Sequence, residues 1–197
     1  MVGALTTVTE TFARVSMHGV REEILHAQLE AAGLPGAFVP IPFPCPNEIY
    51  EARMAAAIAE AKAAGVTHMI FGDLFLEDVR AYREARLAEA GIAGVFPLWG
   101  RPTDALARAM IASGLQTRLV CVDLRHLPAA FAGRSFDAVL LAELPASVDP
   151  CGERGEFHTC VVGGPMFAQP IPVEAGETVE REGYAFADLR LAAGGLG

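Results

Sequence analysis

The sequence predicts an α/β fold, a mostly parallel sheet with helices on both faces, followed by a β-rich C-terminal segment. Three observations predict it. Short apolar or β-branched runs alternate with stretches of helical periodicity. Several of the helical stretches stop at a glycine, as at Gly33, Gly65 and Gly114. After Pro145 the alternation gives way to sequence rich in Gly, Cys and Glu. Strands alternating with helices build βαβ units, whose strands lie parallel. A chain of 197 residues fits one domain or one domain with a small appendage, and buries enough apolar surface to need no disulfide or metal.

The elements follow in order. Residues 2–8 (VGALTTV) form an apolar strand, and residues 19–33 carry Val20, Ile24, Leu25 and Leu29 at helical spacing. Residues 37–41 are the next strand, closed by a proline-rich turn at 40–46. Asn47 caps a helix through Ala64 that places Met54, Ile58 and Ala61 on one face. Residues 66–71 (VTHMIF) are a third strand with Gly72-Asp73 at its carboxyl end. A charged helix over 77–90, a short strand over 94–96 and a helix over 104–113 come next. Residues 117–122 (TRLVCV) form a further strand and 136–144 a further helix. Residues 171–191 read as a β-hairpin around Ala175-Gly176.

Composition narrows the function. The chain is 52% apolar and 20% charged, as globular proteins are, and its net charge of −9 is spread along its length. Nucleic-acid surfaces need clustered Lys and Arg, so no nucleic-acid partner is expected. No apolar run reaches the roughly 18 residues of a membrane span, so no membrane association is expected either. There is no basic segment followed by an apolar one, and Cys45, Cys121, Cys151 and Cys160 show no CxxC spacing. Such cysteines suit a reducing compartment as small buried hydrophobes, and the localisation expected is cytoplasmic.

In doubly wound sheets ligands bind beyond the carboxyl ends of strands. Thr6-Thr7, Gly72-Asp73, Pro97-Leu98-Trp99 and Asp123 fall there. The densest cluster is residues 149–159 (DPCGERGEFHT), where Gly152 and Gly155 free the backbone and Asp149, Glu153, Glu156 and His158 supply acids and a base. Such a loop can be a solvated turn, an amine-binding or general-base loop, or a cation site. Asp73 can contact a magnesium ion, a ribose or a polar substrate group, or cap the following helix. Arg80 and Arg83 belong to a mixed-charge helix face that can also turn toward a carboxylate or phosphate. Trp99, the only tryptophan, is a core residue or a pocket wall. Met17-His18 precedes a helix and can meet an anion or an adenine ring. Cys151 is a loop-shaping residue or a nucleophile.

Five blocks recur together in one known family: LTTV (5–8), RVSMHGVR (14–21), FGDLFLEDVR (71–80), FPLWGR (96–101) and DPCGERGEFHT (149–159). In these blocks the chain resembles the PP-loop ATP pyrophosphatases related to diphthine–ammonia ligase, of the adenine nucleotide α-hydrolase-like fold. The resemblance covers almost the whole chain through Phe167. It implies ATP-dependent amidation, in which a substrate carboxylate attacks the α-phosphate, pyrophosphate leaves, and ammonia or an amine displaces AMP. ATP and Mg2+ are the implied cofactors, and a small-molecule carboxylate and ammonia or an amine the implied partners. The resemblance implies catalytic Glu153 and Glu156. It places Asp73, Arg80, Trp99, Gly152, Gly155 and His158 at the substrate, and Thr6, Thr7, Met17, His18 and Gly72 at the nucleotide. No resident metal site is implied.

Two departures from the family pattern stand out. The block ends Phe157-His158-Thr159 where the family has Tyr-Glu-Thr, an imidazole in place of a carboxylate, which points away from diphthine itself as substrate. No SGGKDS-type phosphate loop occurs in the sequence. The expectation is therefore an α/β domain over residues 1–125 without its central first strand, and a substrate-binding part over 126–197 that carries the CGERGEFHT loop. Such a truncated chain would bind ATP poorly and be impaired as a ligase, and a homodimer would let a partner complete the sheet. A non-catalytic small-molecule binding module is the alternative reading. A metal-dependent hydrolase using Asp149, Glu153 and His158 is a third.

Overall fold

The computed structural model describes residues 1–193. Its elements run β1 (Ala4–Thr9), β2 (Arg14–Val15), α1 (Glu22–Ala32), β3 (Gly36–Ile41), α2 (Asn47–Ala63), β4 (His68–Ile70), α3 (Glu77–Glu89) and β5 (Ala93–Val95). There follow α4 (Thr103–Ala112), β6 (Gln116–Asp123), α5 (Ala138–Glu143), β7 (Phe157–Gly163), β8 (Val173–Arg181) and β9 (Tyr184–Leu191). The helices lie within a few residues of their predicted places. Asn47 opens α2 instead of capping it; Pro46 holds the cap position, and the Asn47 amide donates to Glu51.

The strands do not form one mostly parallel sheet. They form three sheets, of order β2-β1-β3, β4-β5 and β7-β6-β9-β8. β1 and β3 run parallel in register from Ala4↔Gly36 to Thr9↔Ile41, joined across α1. β4 and β5 run parallel across α3. These are the two βαβ units that the alternation foresees. The departure comes at β6, which pairs antiparallel with both β7 and β9.

The physical reason lies in β6 itself. A near-continuous apolar run reports a strand covered on both faces and says nothing of strand direction. On one face Leu119 and Val122 pack with Ala107 of α4, Leu140 of α5, Phe136 and Phe157. On the other, Val120 packs with Val20, Ile24 of α1, Cys160 and Leu189. The antiparallel sheet is therefore the centre of the molecule. The β4–β5 pair has a smaller core of its own, built from Ile58, Leu87 and Ile92.

The C-terminal hairpin is present, with its turn at Glu182-Gly183, where both residues have positive φ (52° and 82°). Gly176 lies within β8, at an irregularity in the β8–β9 register between Ala175 and Thr178. No helix among the described residues is long and apolar enough to cross a membrane.

An ionic hub fastens the first sheet to the third. Asp188 of β9 accepts from Arg14 Nη2 (2.9 Å), from Arg21 Nε and Nη2 (2.9 and 2.8 Å) and from Arg190 Nε (3.0 Å). Led by the Arg21 bonds, these contacts hold the Asp188 carboxyl well below the usual carboxylate range. Arg14 and Arg21 are 31% and 33% exposed, so solvent screens part of the gain. Asp188→Ala is expected to cost about 2 kcal/mol. A depressed carboxyl stabilises the fold above its unfolded pKa of about 3.9 and loses that contribution as the pH falls through the folded value. The gap between the urea midpoints of wild type and variant should therefore be full at pH 7 and narrow steadily as the pH falls below about 4.

Candidate functional site

The residues between α5 and β7 make a loop built around two buried carboxylates. Asp149, 7% exposed, accepts from Thr103 Oγ1 (2.7 Å), Cys151 N–H (2.9 Å) and Glu153 N–H (3.3 Å). Glu156, 1% exposed, accepts from Asp149 N–H on Oε1 (2.9 Å) and from Arg154 N–H on Oε2 (3.0 Å). The sequence suggests that both glutamates face a substrate. Glu156 instead points inward with both oxygens engaged, and it organises the loop.

The two glycines differ in the same way. Gly152 has φ +67°, and a Cβ there would lie 2.8 Å from the Phe157 carbonyl oxygen; Gly155 has φ +85° with open space around it. Gly152→Ala meets both left-handed strain and a backbone clash, and is expected to cost about 2–4 kcal/mol. Gly155→Ala meets strain alone and should cost about 1 kcal/mol. Thermal melts of the pair check the ordering. Cys151 donates its thiol to Thr103 O (3.3 Å), and burial with Asp149 and Glu153 nearby pushes its pKa up to about 12. It remains a thiol at neutral pH and shapes the loop.

Glu153 reaches out of the loop. Its Oε1 accepts from the backbone N–H of Leu74 (2.7 Å), two residues beyond Gly72 at the end of β4. The Leu74 carbonyl accepts from Gly100 N–H (2.8 Å), beside Trp99 at the end of β5. One buried residue, 4% exposed, thus ties together the β4 end, the β5 end and the acidic loop. Arg154 lies 5.0 Å over the Phe75 ring and adds to the seam. Asp73 does not cap α3, whose N-cap position is Leu76 with no side-chain cap; it pairs with Arg83 at 3.2 Å. Arg80 sits 4.7 Å from the centre of the Trp99 ring. Glu153, Gly72, Asp73, Arg80 and Trp99, scattered over eighty residues of sequence, form one neighbourhood.

The second group forms around His158, which stands on β7 and not in a loop. Its ring packs on His18 with centroids 4.6 Å apart, and the His18 Nδ1 lies 3.1 Å from Ser16 O. Met17 next to it is 73% exposed with φ +66°. Thr6 and Thr7 lie inside β1, opposite Phe38 and Val39, and not at its tip, which is Thr9. Thr7 joins the group through its carbonyl, which accepts from Ser16 N–H (3.1 Å). The residues from Glu156 to His158 link the two groups. Among the described residues no three His, Cys, Asp or Glu side chains are placed to hold a metal ion.

Burial, with His18 adding repulsion, pushes the His158 pKa down to about 4. The folded value lies below the unfolded one of about 6.5, so the contribution of neutral His158 is full above pH 6.5 and lost as the pH falls toward 4. Wild type is expected to lose about 2–3 kcal/mol more than His158→Gln between pH 7 and 4.5. Chemical denaturation of both proteins across that range measures it.

Residue type alone assigns no role at the site to Leu74 or Thr103. A backbone donor such as that of Leu74 leaves no trace in residue type. Thr103 at the start of α4 is a recognisable anchor only once its hydroxyl is known to donate to Asp149.

A family described as diphthamide synthase C-terminal domain matches residues 102–192, from just before α4 to the end of β9. Diphthine–ammonia ligase of Homo sapiens is 35% identical over 97 residues, 47% of this chain and 36% of that protein. The Danio rerio protein of the same name is 38% identical over 97 residues, 47% of this chain and 38% of that one. That of Schizosaccharomyces pombe is 29% identical over 107 residues, 52% of this chain and 18% of its own length. The matched stretch thus spans well under half the length of these relatives.

Proposed function

Since the chain is related to the diphthine–ammonia ligase family, we propose that it is an ATP-dependent, amide-forming ligase-like protein that joins a small carboxylic acid to ammonia or an amine. The single observation that carries this reading is Glu153, a carboxylate anchored by one oxygen to the Leu74 N–H and standing where the β4 and β5 ends meet the acidic loop.

Glu153 Oε2 makes no hydrogen bond among the described residues, so it is the oxygen that receives an N–H of the amine. Held at fixed distance from the β4 end, it orients the nitrogen lone pair and accepts the proton that the attacking amine must lose. Glu156 is a positioning residue, since both its oxygens hold the loop that carries Glu153. Asp73 and Gly72 border the acid, with Trp99 as its apolar wall.

ATP, which the family implies, supplies the leaving group that makes the acid reactive toward an amine. The residues that would meet the nucleoside half are Met17 and the half-buried His18, in the turn after β2, or Gly72, which has open space around it. Mg2+ has no protein-built centre among the described residues and would arrive with the nucleotide.

The test is product analysis of the protein with ATP, Mg2+, ammonium and a panel of carboxylic acids. AMP and amide formed in equal amounts, only with acid present and at a low rate because the sequence holds no SGGKDS-type phosphate loop, is the expected result. Ammonium binding without AMP or amide from any acid would replace the ligase with a non-catalytic binding module.

A further inference from the structure

Arg80 and Arg83 stand one turn apart on α3, and residues at this spacing on a helix lie side by side at about 5–6 Å. The Arg80 guanidinium is 4.8 Å from the Phe96 ring centre and 4.7 Å from that of Trp99; the Arg83 guanidinium is 4.6 Å from Phe71. Phe71 and Phe96 stack on each other at 5.4 Å, so the two arginines rest on adjoining rings. Each gives its Nε–H to a carboxylate of the chain, Arg80 to Glu84 (2.9 Å) and Arg83 to Asp73 (3.3 Å). Neither uses its Nη atoms in a hydrogen bond among the described residues, and the side chains remain 34% and 37% exposed.

A guanidinium stacked on rings and tied at Nε has already given up much of its rotamer freedom. What it leaves open is a rigid edge of N–H donors, the partner of a planar carboxylate in a two-bond contact. Glu84 and Asp73 balance the charge of the pair. Recognition here works through directed donors and not through a positive field.

We propose that this pair of guanidiniums holds a second, non-reacting carboxylate of the acid, so that the acid substrate is a dicarboxylate. The proposal rests on the ligase reading for the identity of the reacting carboxylate. A carboxylate that attacks phosphorus must keep one oxygen unbound, and a two-bond grip opposes its reaction. A carboxylate that takes no part can be gripped throughout, and its binding energy then orients the reacting end. Trp99 beside Arg80 supplies the apolar surface for the carbon chain between the two.

Trp99 is the only tryptophan, so its fluorescence reports on this place in the intact protein. The 197-residue protein is titrated, without ATP and at constant ionic strength, with glutarate, butanoate and inorganic phosphate. Glutarate is expected to give a saturable change, with butanoate at least tenfold weaker. Arg80→Lys and Arg83→Lys should each weaken glutarate about tenfold with melting temperatures unchanged. Equal affinity for glutarate and butanoate, tighter binding of phosphate than glutarate, lysine variants that bind as wild type does, or no saturable response each overturn the dicarboxylate. The two readings fail separately: amide formation without a glutarate response leaves the ligase standing, and a specific glutarate response without amide formation removes the ligase.

Discussion

Glu156→Ala is expected to cost the fold about 3–5 kcal/mol, the largest loss for any single side chain of the site. The carboxylate is 1% exposed and takes two backbone N–H groups, of Asp149 and Arg154, with Arg154 Nη1 at 3.8 Å. Hydrogen bonds to a charged group each contribute about 1.5–3 kcal/mol, and truncation leaves both donors without a partner in a place water reaches poorly. The loop would then no longer hold Asp149, and with it the Thr103 anchor at the start of α4. Glu156→Gln keeps the shape and one acceptor oxygen, and should lose about 2 kcal/mol, because its NH2 group faces an N–H donor. Urea denaturation ranks the three proteins. Limited proteolysis should show cleavage between Asp149 and Glu156 in the alanine variant first.

Glu153→Ala is expected to leave stability within about 1–2 kcal/mol of wild type and, in the proposed ligase, to lower kcat for amide formation by about a hundredfold. One buried N–H, that of Leu74, loses its partner, which bounds the cost to the fold. The chemical loss is larger, since the carboxylate that would take the amine proton is gone. Glu153→Gln separates the two roles. It can still accept from Leu74 N–H but takes up no proton, so stability should recover and kcat should not. A KM for the acid unchanged across the three proteins would assign Glu153 to the amine side.

Much of the fold can be read from the residues. The apolar spacing of Val20, Ile24 and Leu25 finds α1, and the glycine and proline stops bound the helices. The misread elements share a cause, which is that partner choice in a sheet is a tertiary property. β6 looks the same whether its neighbours run parallel or antiparallel, because both arrangements bury both faces. Gly176 looks like a turn, yet it lies at the irregularity in β8, where a Cβ would come within 3.2 Å of Asp188 O. The actual turn uses Glu182, a residue that carries no turn signal of its own.

The site divides along the same line. The density of glycine and acid over residues 149–159 marks the loop. Which glutamate turns inward is decided by the N–H groups of Asp149 and Arg154 on one side and by Leu74 on the other. Three residues of separation and identical chemistry leave Glu153 and Glu156 indistinguishable in sequence. The docking of Glu153 on Leu74 joins two halves of the chain through a backbone atom, and backbone atoms have no sequence.

The amide hydrogen of Leu74, followed by NMR hydrogen exchange in wild type and Glu153→Ala, tests whether the acidic loop and the β4 end form a single site. Exchange in the variant should be at least about tenfold faster, as the loss of a charge-assisted bond of about 1.5 kcal/mol requires. Equal exchange in the two proteins would mean that the loop does not dock there, and Glu153 could then not serve an amine at that place.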